Sequence, residues 1–127
     1  TANAARKARE AGAQGIIVSN HGGRVQDQCP ATAEVLAEIV DAVGEDMTIL
    51  VDGGIRSGVD LYKALALGAD GVLVARPYVT AVYGGQKDGV TALTEKLLGE
   101  LRDTMKMCGT YTLGEIGREN IRQPHLG

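Results

Sequence analysis

The chain has 127 residues, 44% of them hydrophobic and 23% charged, which predicts one compact globular domain and excludes wholesale disorder. Its formal net charge of −3 argues against nucleic acid or an anionic membrane as the main partner, and no apolar run in the sequence reaches the length of a membrane span. Cys29 and Cys108 stand far apart, so neither a disulfide framework nor a metal site is indicated, and we expect a reduced, cytoplasmic location.

The predicted elements alternate between amphipathic helices and short apolar strands. In chain order they are a helix capped by Thr1 and ended by Gly12, a strand at 15–19, a helix from near Pro30 to Gly44, a strand at 48–51, a helix ended by Gly68, and a strand at 71–74. The continuous apolar character of the first strand predicts burial on both of its faces. Ser57 and Asp60 form the pattern of a capping box at the start of the third helix.

The last third of the sequence predicts a short helix, a glycine-rich loop at 84–89 and a longer amphipathic helix. The residues after position 109 are expected to form a polar C-terminal tail, 110–127, attached to the domain. The apolar stripe of the longer helix consists of Val90, Leu93, Leu97, Leu101, Met105 and Cys108.

An internal repeat organises the first three strands. Residues 8–18 recur as residues 64–74, an offset of 64 minus 8, or 56 residues, which corresponds to two strand–helix steps. Fully apolar strands between helices predict a parallel sheet of the α/β class, either an open doubly wound sheet or a (β/α)8 barrel. The regular repetition favours the barrel. Because a closed barrel needs about 250 residues, we expect the chain to be the C-terminal part of one, a piece of a longer protein.

Unusual polar residues follow the first strand, where the functional loops of a barrel lie. His21 is flanked by Gly22 and provides an imidazole that accepts protons near neutral pH, and Arg24 provides a guanidinium suited to a carboxylate. A lone histidine is more often a structural or surface residue. Together, however, this pair is suited to proton abstraction from a small acid.

The loops after the second and third strands predict a phosphate site. Gly53 and Gly54 permit close approach of backbone N–H groups to a ligand, and Arg56 and Arg76 could each bind phosphate oxygens. The alternative is that the glycines only form tight turns and the arginines are surface charges. Asp52, at the strand end, could accept hydrogen bonds from ligand hydroxyls or could stabilise its own turn.

Three stretches of sequence distinguish among barrel families. The most specific is Ser19-Asn20-His21-Gly22-Gly23-Arg24, whereas Asp52-Gly53-Gly54-Ile55-Arg56 and Lys63-Ala64-Leu65-Ala66-Leu67-Gly68-Ala69 also occur in other FMN and phosphate barrels. On these stretches the chain resembles the C-terminal part of the FMN-dependent α-hydroxy acid oxidase and dehydrogenase family, which includes glycolate oxidase and lactate oxidase.

The resemblance implies an enzyme that oxidises a small L-2-hydroxy acid, such as lactate or glycolate, to the 2-oxo acid, and that forms a homo-oligomer as the full-length protein. His21 matches the family's proton acceptor and Arg24 its carboxylate anchor. The positions that match contacts to the cofactor FMN are Asp52, Gly53, Gly54, Arg56, Ala75 and Arg76.

Two alternatives come from other functional classes. One is a different FMN or phosphate barrel, such as a type 2 isopentenyl diphosphate isomerase, and the other is a non-catalytic half barrel that binds phosphate. The resemblance also implies an upstream lysine, upstream tyrosines and an upstream aspartate that the 127 residues do not contain. We therefore expect the isolated chain to bind FMN weakly or not at all and to be inactive.

Overall fold

A computed structural model describes residues 1–122, and these form a three-stranded sheet with helices packed against it. None of the helices in this described part combines the length and apolar character of a membrane span. The main elements in chain order are α1 (Ala2–Glu10), β1 (Gly15–Val18), α2 (Thr32–Val43), β2 (Thr48–Val51), α3 (Gly58–Ala66), β3 (Gly71–Val72) and α4 (Arg76–Cys108).

The sheet has the strand order β1-β2-β3, and both strand pairs are parallel. Val51 lies at the centre of the register, between Val18 of β1 and Val72 of β3. Each parallel connection passes through a helix, as the α/β prediction requires.

The third strand is shorter than the predicted 71–74. Only Gly71–Val72 pairs fully with β2, followed by one further bond from the Leu73 N–H to the Val51 carbonyl at 2.9 Å. The reason is that β2 turns away at Gly53, whose φ of +89° ends the extended backbone, so later residues of β3 have no ladder partner on that side.

The two faces of the sheet differ in burial, and the prediction that β1 is buried on both faces is wrong for the described residues. The helices cover the face that carries Val18, Ile49 and Val51, all of which are buried. On the other face, Ile17 remains 54% exposed and Leu73 37% exposed. The alternation follows from strand geometry, since successive side chains point to opposite faces and helices contact only one of them.

The core consists of two clusters on either side of α3. The first joins α1 and α2 to the sheet, and the second packs α3 against α4. Ile116, in the predicted tail, is buried in the second cluster beside Leu97 and Leu101. The division of the chain into a domain and a tail at 110–127 stays a prediction, and residues 123–127 of that tail lie outside the described residues.

The predicted loop at 84–89 is reduced to a single non-helical residue within α4. Gln86 has φ +47° and ψ −127°, and the backbone is helical on both sides of it. The hydroxyls of Tyr78 and Thr94 are 2.8 Å apart although 16 residues separate them, a distance of about 24 Å along a straight helix. Therefore α4 folds back on itself at Gln86, and a side chain at Gly89 would collide with the Ala81 carbonyl.

An apolar stripe is predicted for the part of α4 that follows Gln86. The structure confirms this stripe in the middle of that part, but the prediction is wrong at its C-terminal end. Leu97 and Leu101 are buried against α3, and Met105 is half-buried. Cys108 is exposed because the helix ends there, at the left-handed Gly109.

Candidate functional site

The residues proposed for chemistry and cofactor binding lie together at the carboxyl ends of the three strands. They line one open cleft of about 370 Å³, and three separate loops contribute them. Carboxyl ends of parallel strands meet at one edge of a sheet, which is where ligand sites of α/β barrels are found. The predicted site residues found in this cleft are His21, Arg24, Asp52, Gly53, Gly54, Arg56, Ala75 and Arg76.

The loop after β1 places His21 in an uncommon backbone conformation. His21 has φ +53°, and Gly22 and Gly23 continue the left-handed run at +67° and +73°. A non-glycine residue in this region is costly, by about 1–2 kcal/mol, and such residues cluster at functional sites. The His21 side chain is exposed and lines the cleft, and the two residues that follow it, Gly22 and Gly23, have no side chains that could cover it.

Asn20 holds this turn in place. Its side-chain oxygen accepts the Gly22 N–H at 3.0 Å, and its backbone carbonyl accepts the Gly23 N–H at the same distance. Its amide nitrogen also donates to the Pro30 carbonyl at 3.5 Å, a long contact that tethers the turn to the segment before α2. The role of Asn20 could not be predicted from the motif in which it stands, because its hydrogen-bond partners depend on the folded turn.

Arg24 follows on the same turn, and its N–H donates to the His21 carbonyl at 3.4 Å. The Arg24 side chain is exposed and takes part in none of the ion pairs found within residues 1–122. The His21 imidazole and a guanidinium that has no ion-pair partner within residues 1–122 therefore line the same cleft.

Asp52 presents one oxygen that lacks a partner. Ser19 donates its hydroxyl to Asp52 Oδ2 at 2.8 Å and accepts the His21 N–H at 3.1 Å, so this serine links the β1 loop to the end of β2. Asp52 Oδ1 is buried and has no hydrogen-bond partner among the described residues. A buried acceptor left unpaired costs about 1–3 kcal/mol, which makes this oxygen a candidate to accept a hydrogen bond from a ligand.

The glycines after β2 form a concave backbone segment. Gly53 and Gly54 have φ of +89° and +80°, and a Cβ at Gly54 would meet only open space. Within the described residues, neither glycine N–H is used in a hydrogen bond. The N–H groups of Arg56 and Ser57, by contrast, are both bonded to Asp60 at 3.0 Å, which confirms the predicted capping box of α3.

The third loop brings a second positive group to the same cleft. Ala75 caps α4, and Arg76 is its first residue, so both lie at the positive end of this helix. The Arg76 guanidinium packs against the His21 turn, since a Cβ at Gly22 would lie 3.2 Å from its Nη2 atom. The first and third loops are therefore in contact.

The donor set fits FMN, the cofactor implied by the resemblance. A ribityl chain offers hydroxyl donors of the kind that the unpaired Asp52 Oδ1 requires. A phosphate suits two free glycine N–H groups, two helix N-termini and the guanidinium groups of Arg56 and Arg76. Besides Asn20, two residues have a part in the site that the motifs did not predict, Ser19 and Thr32, each of which bonds to Asp52.

Comparison with known proteins places the chain among flavin enzymes. The model of the FMN-dependent dehydrogenase family matches residues 1–123. The chain is 48% identical over 121 residues to a peroxisomal (S)-2-hydroxy-acid oxidase of Oryza sativa subsp. japonica, covering 95% of the chain and 33% of that protein. It is 50% identical over 118 residues to the 4-hydroxymandelate oxidase of Amycolatopsis orientalis, covering 93% and 33% respectively.

A third relative is the L-lactate oxidase of Roseobacter sp. (strain GAI101), 50% identical over 105 residues, with 83% of the chain and 28% of that protein covered. The chain thus spans about a third of the length of these curated relatives.

Solved structures agree with the sequence matches. A crystal structure of mandelate oxidase with benzoyl-formic acid superimposes with a TM-score of 0.89 at 49% identity, covering 93% of the chain and 35% of that protein. Three parallel strands with flanking helices that match a third of this enzyme confirm the predicted fold class, a C-terminal part of a (β/α)8 barrel. The individual roles of the eight cleft residues stay predictions.

Proposed function

The chain belongs to the FMN-dependent dehydrogenase family, and on that premise we propose that the whole protein oxidises a small L-2-hydroxy acid to the corresponding 2-oxo acid. The family predicted from the motifs is confirmed, and its cofactor is FMN. The observation that carries the proposal is the cleft itself, where the proposed base, carboxylate anchor and phosphate ligands meet although they come from three loops.

Six residues would hold the cofactor. Asp52 Oδ1, which has no partner in the described chain, would accept a hydrogen bond from an FMN hydroxyl. The N–H groups of Gly53, Gly54 and Ala75 and the guanidinium groups of Arg56 and Arg76 would bind its phosphate. When bound, FMN supplies the acceptor for the two electrons that the substrate loses.

Two further residues would act on the substrate. Arg24 would bind the substrate carboxylate through paired N–H donors and so fix which face of the acid meets the base. A ring nitrogen of His21 would then take a proton from the hydroxy acid, which loses two electrons and two hydrogens in all to give the 2-oxo acid, the two electrons passing to FMN. The left-handed backbone at His21 and its tether through Ser19 hold the imidazole beside the cleft.

An anaerobic titration of the FMN-loaded protein tests the proposal. We expect L-lactate, glycolate or (S)-mandelate to bleach the flavin absorbance near 450 nm, with one equivalent of 2-oxo acid formed per flavin, and D-lactate and (R)-mandelate to leave it unchanged. Isopentenyl diphosphate serves as the comparison substrate. A flavin that no 2-hydroxy acid reduces, in a protein that isomerises isopentenyl diphosphate, would favour the isomerase alternative.

Assembly and location are further parts of the proposal. The whole protein is proposed to form a homo-oligomer, which light scattering after size-exclusion chromatography tests. A cytoplasmic location is proposed from the cysteines, which are both free thiols in the structure. Because some relatives are named as peroxisomal enzymes, fractionation into cytosol and organelles is the direct test.

A further inference from the structure

We propose that Thr32 is a positioning residue for FMN: its buried hydroxyl fixes the Asp52–Gly53 peptide and thereby aims the groups that hold the cofactor. This inference rests on the proposed function. Thr32 is not among the residues that line the cleft of about 370 Å³, although it lines an adjoining pocket that shares Gly53 and Gly54 with that cleft, and it acts through the backbone of Asp52.

The Thr32 side chain makes a contact that its own helix does not need. Thr32 is the first residue of α2 and only 4% exposed, and its Oγ1 donates to the Asp52 carbonyl at 2.5 Å. Threonine and serine at a helix start commonly cap the free N–H groups. Here the N-cap is Ala31, and its N–H bonds instead to the Glu34 carboxylate at 2.8 Å. The Thr32 hydroxyl is therefore free to join α2 to the end of β2.

This bond determines the orientation of one peptide group. The carbonyl of Asp52 and the N–H of Gly53 belong to the same planar trans peptide, in which they point in opposite directions. With the carbonyl held toward Thr32, the Gly53 N–H points away from α2. Gly53 lines the cleft and also an adjoining pocket that Thr32 lines, so an N–H that points away from Thr32 remains available to a ligand in the cleft.

The same turn leaves little space on its Thr32 side. A Cβ at Gly53 would lie 3.1 Å from Thr32 Oγ1 and 3.5 Å from Asn20 Oδ1, so polar atoms from two other elements enclose this residue. Asp52 is fixed at three points: its N–H bonds to the Val18 carbonyl, its Oδ2 to Ser19 and its carbonyl to Thr32. Its Oδ1 is the atom left for a ligand, and its direction depends on all three bonds.

The test removes the hydroxyl while keeping the shape of the side chain. In Thr32→Val the Asp52 carbonyl loses its buried donor, so we expect the dissociation constant for FMN to rise about 10-fold, measured by quenching of flavin fluorescence. Thr32→Ser, which keeps the hydroxyl, should restore the dissociation constant to within about twofold of the wild type.

The matched control is Thr104→Val. Thr104 also donates to a backbone carbonyl, that of Glu100 at 2.7 Å, but it lies on α4 away from the cleft. The Thr104→Val variant should therefore bind FMN with unchanged affinity. Thr32→Ala replaces the valine variant if circular dichroism shows that the latter does not fold.

Several outcomes would overturn the inference. Wild-type FMN affinity in Thr32→Val would do so, as would a loss that Thr32→Ser does not restore, or a loss of thermal stability alone that matches that of Thr104→Val. A wild-type protein that binds FMN but oxidises no 2-hydroxy acid would instead refute the proposed function, and the effect on FMN affinity would still decide the role of Thr32.

Discussion

The two copies of the internal repeat, α1–β1 and α3–β3, use the same backbone bonds to join helix to strand. In the first copy, the N–H groups of residues 11, 12 and 13 donate to the carbonyls of residues 7, 9 and 8. In the second, residues 67, 68 and 69 donate to residues 63, 65 and 64, each 56 positions later. The glycines at the two helix ends, Gly12 and Gly68, have φ of +90° and +103°.

The two copies diverge where their strands end. After β1 the chain enters a left-handed turn that carries His21 and Arg24, whereas after β3 it passes directly into α4 at Arg76. At the same 56-residue offset, His21 corresponds to Pro77, which fits the first turn of a helix. The shared part is a scaffold for placing a strand, and the chemistry lies in the loops that differ.

The largest expected effect comes from the divergent loop of the first copy. His21→Ala in the FMN-loaded protein should lower kcat for the best 2-hydroxy acid by about 10³-fold, the usual contribution of a general base. FMN affinity and the flavin spectrum should change little, since the proposed cofactor contacts lie on the other loops. Steady-state kinetics with a parallel flavin titration measure both. If the His21→Ala variant keeps a tenth of the wild-type kcat, His21 is not the general base.

Arg24→Met tests the second special residue of that loop. Loss of a charge-assisted pair with the substrate carboxylate should raise KM by about 10- to 100-fold, with a smaller effect on kcat. Arg6→Met is the matched control, because Arg6 is exposed on α1, away from the cleft. Equal effects of the two substitutions would show that general charge, and not the position of Arg24, is what matters.

The shared helix ends are predicted to differ in how they tolerate a side chain. A Cβ at Gly12 would meet nothing within 4 Å, so Gly12→Ala should cost only the backbone strain, about 1 kcal/mol of unfolding free energy. A Cβ at Gly68 would lie 2.7 Å from Val40 Cγ1, so Gly68→Ala should cost about 2–3 kcal/mol. Urea denaturation measures both values.

Val40→Ala separates strain from collision at these two positions. The substitution removes the methyl groups that Gly68→Ala would strike, so the double variant should be more stable than the sum of its single effects predicts. When Val40→Ala is combined with Gly12→Ala, the two changes in unfolding free energy should simply add. The packing difference between the two copies would be contradicted if the free-energy changes of Val40→Ala and Gly12→Ala did not add, or if those of Val40→Ala and Gly68→Ala did.

The smallest expected effect concerns how the two helices begin. Thr1 caps α1, whereas the start of α3 also uses Glu100 of α4, whose carboxylate accepts the Gly58 N–H at 2.7 Å. The hydrogen bond from Lys96 and then that from Gly58 lower the pKa of Glu100. A lowered pKa means that this stabilisation is complete at neutral pH and is lost as the pH falls through the folded-state value.

Glu100→Gln should therefore lower the urea midpoint slightly at pH 7 and converge with the wild type in acid. Glu95→Gln, an exposed position on the same helix, is the control and should leave the midpoint unchanged at both pH values. A difference that grows on acidification would contradict the direction of the pKa shift.

Much of the fold could be predicted because local signals coincide with it. The capping pair Ser57 and Asp60, the left-handed glycines Gly12 and Gly68, and the apolar runs mark element boundaries through chemistry within a few residues. The extent of β3 could not be predicted in this way, since it depends on where its neighbour β2 turns away. The break between the two helices was predicted within the segment 84–89, but its restriction to the single residue Gln86 was not, because several residues of this segment offered equivalent places for it.

The sequence by itself determined the α/β class, the repeat and the family, and it predicted eight site residues at strand ends, because these features are encoded in short motifs. Only the tertiary structure decided which atoms of those motifs remain available. It paired Asp52 with Ser19 and Thr32, 33 and 20 residues away, left Oδ1 without a partner within residues 1–122, and brought Arg76 against the His21 turn. The physical reason is that a hydrogen-bond inventory depends on neighbours in space, and parallel strands make neighbours of loops that are far apart in the chain.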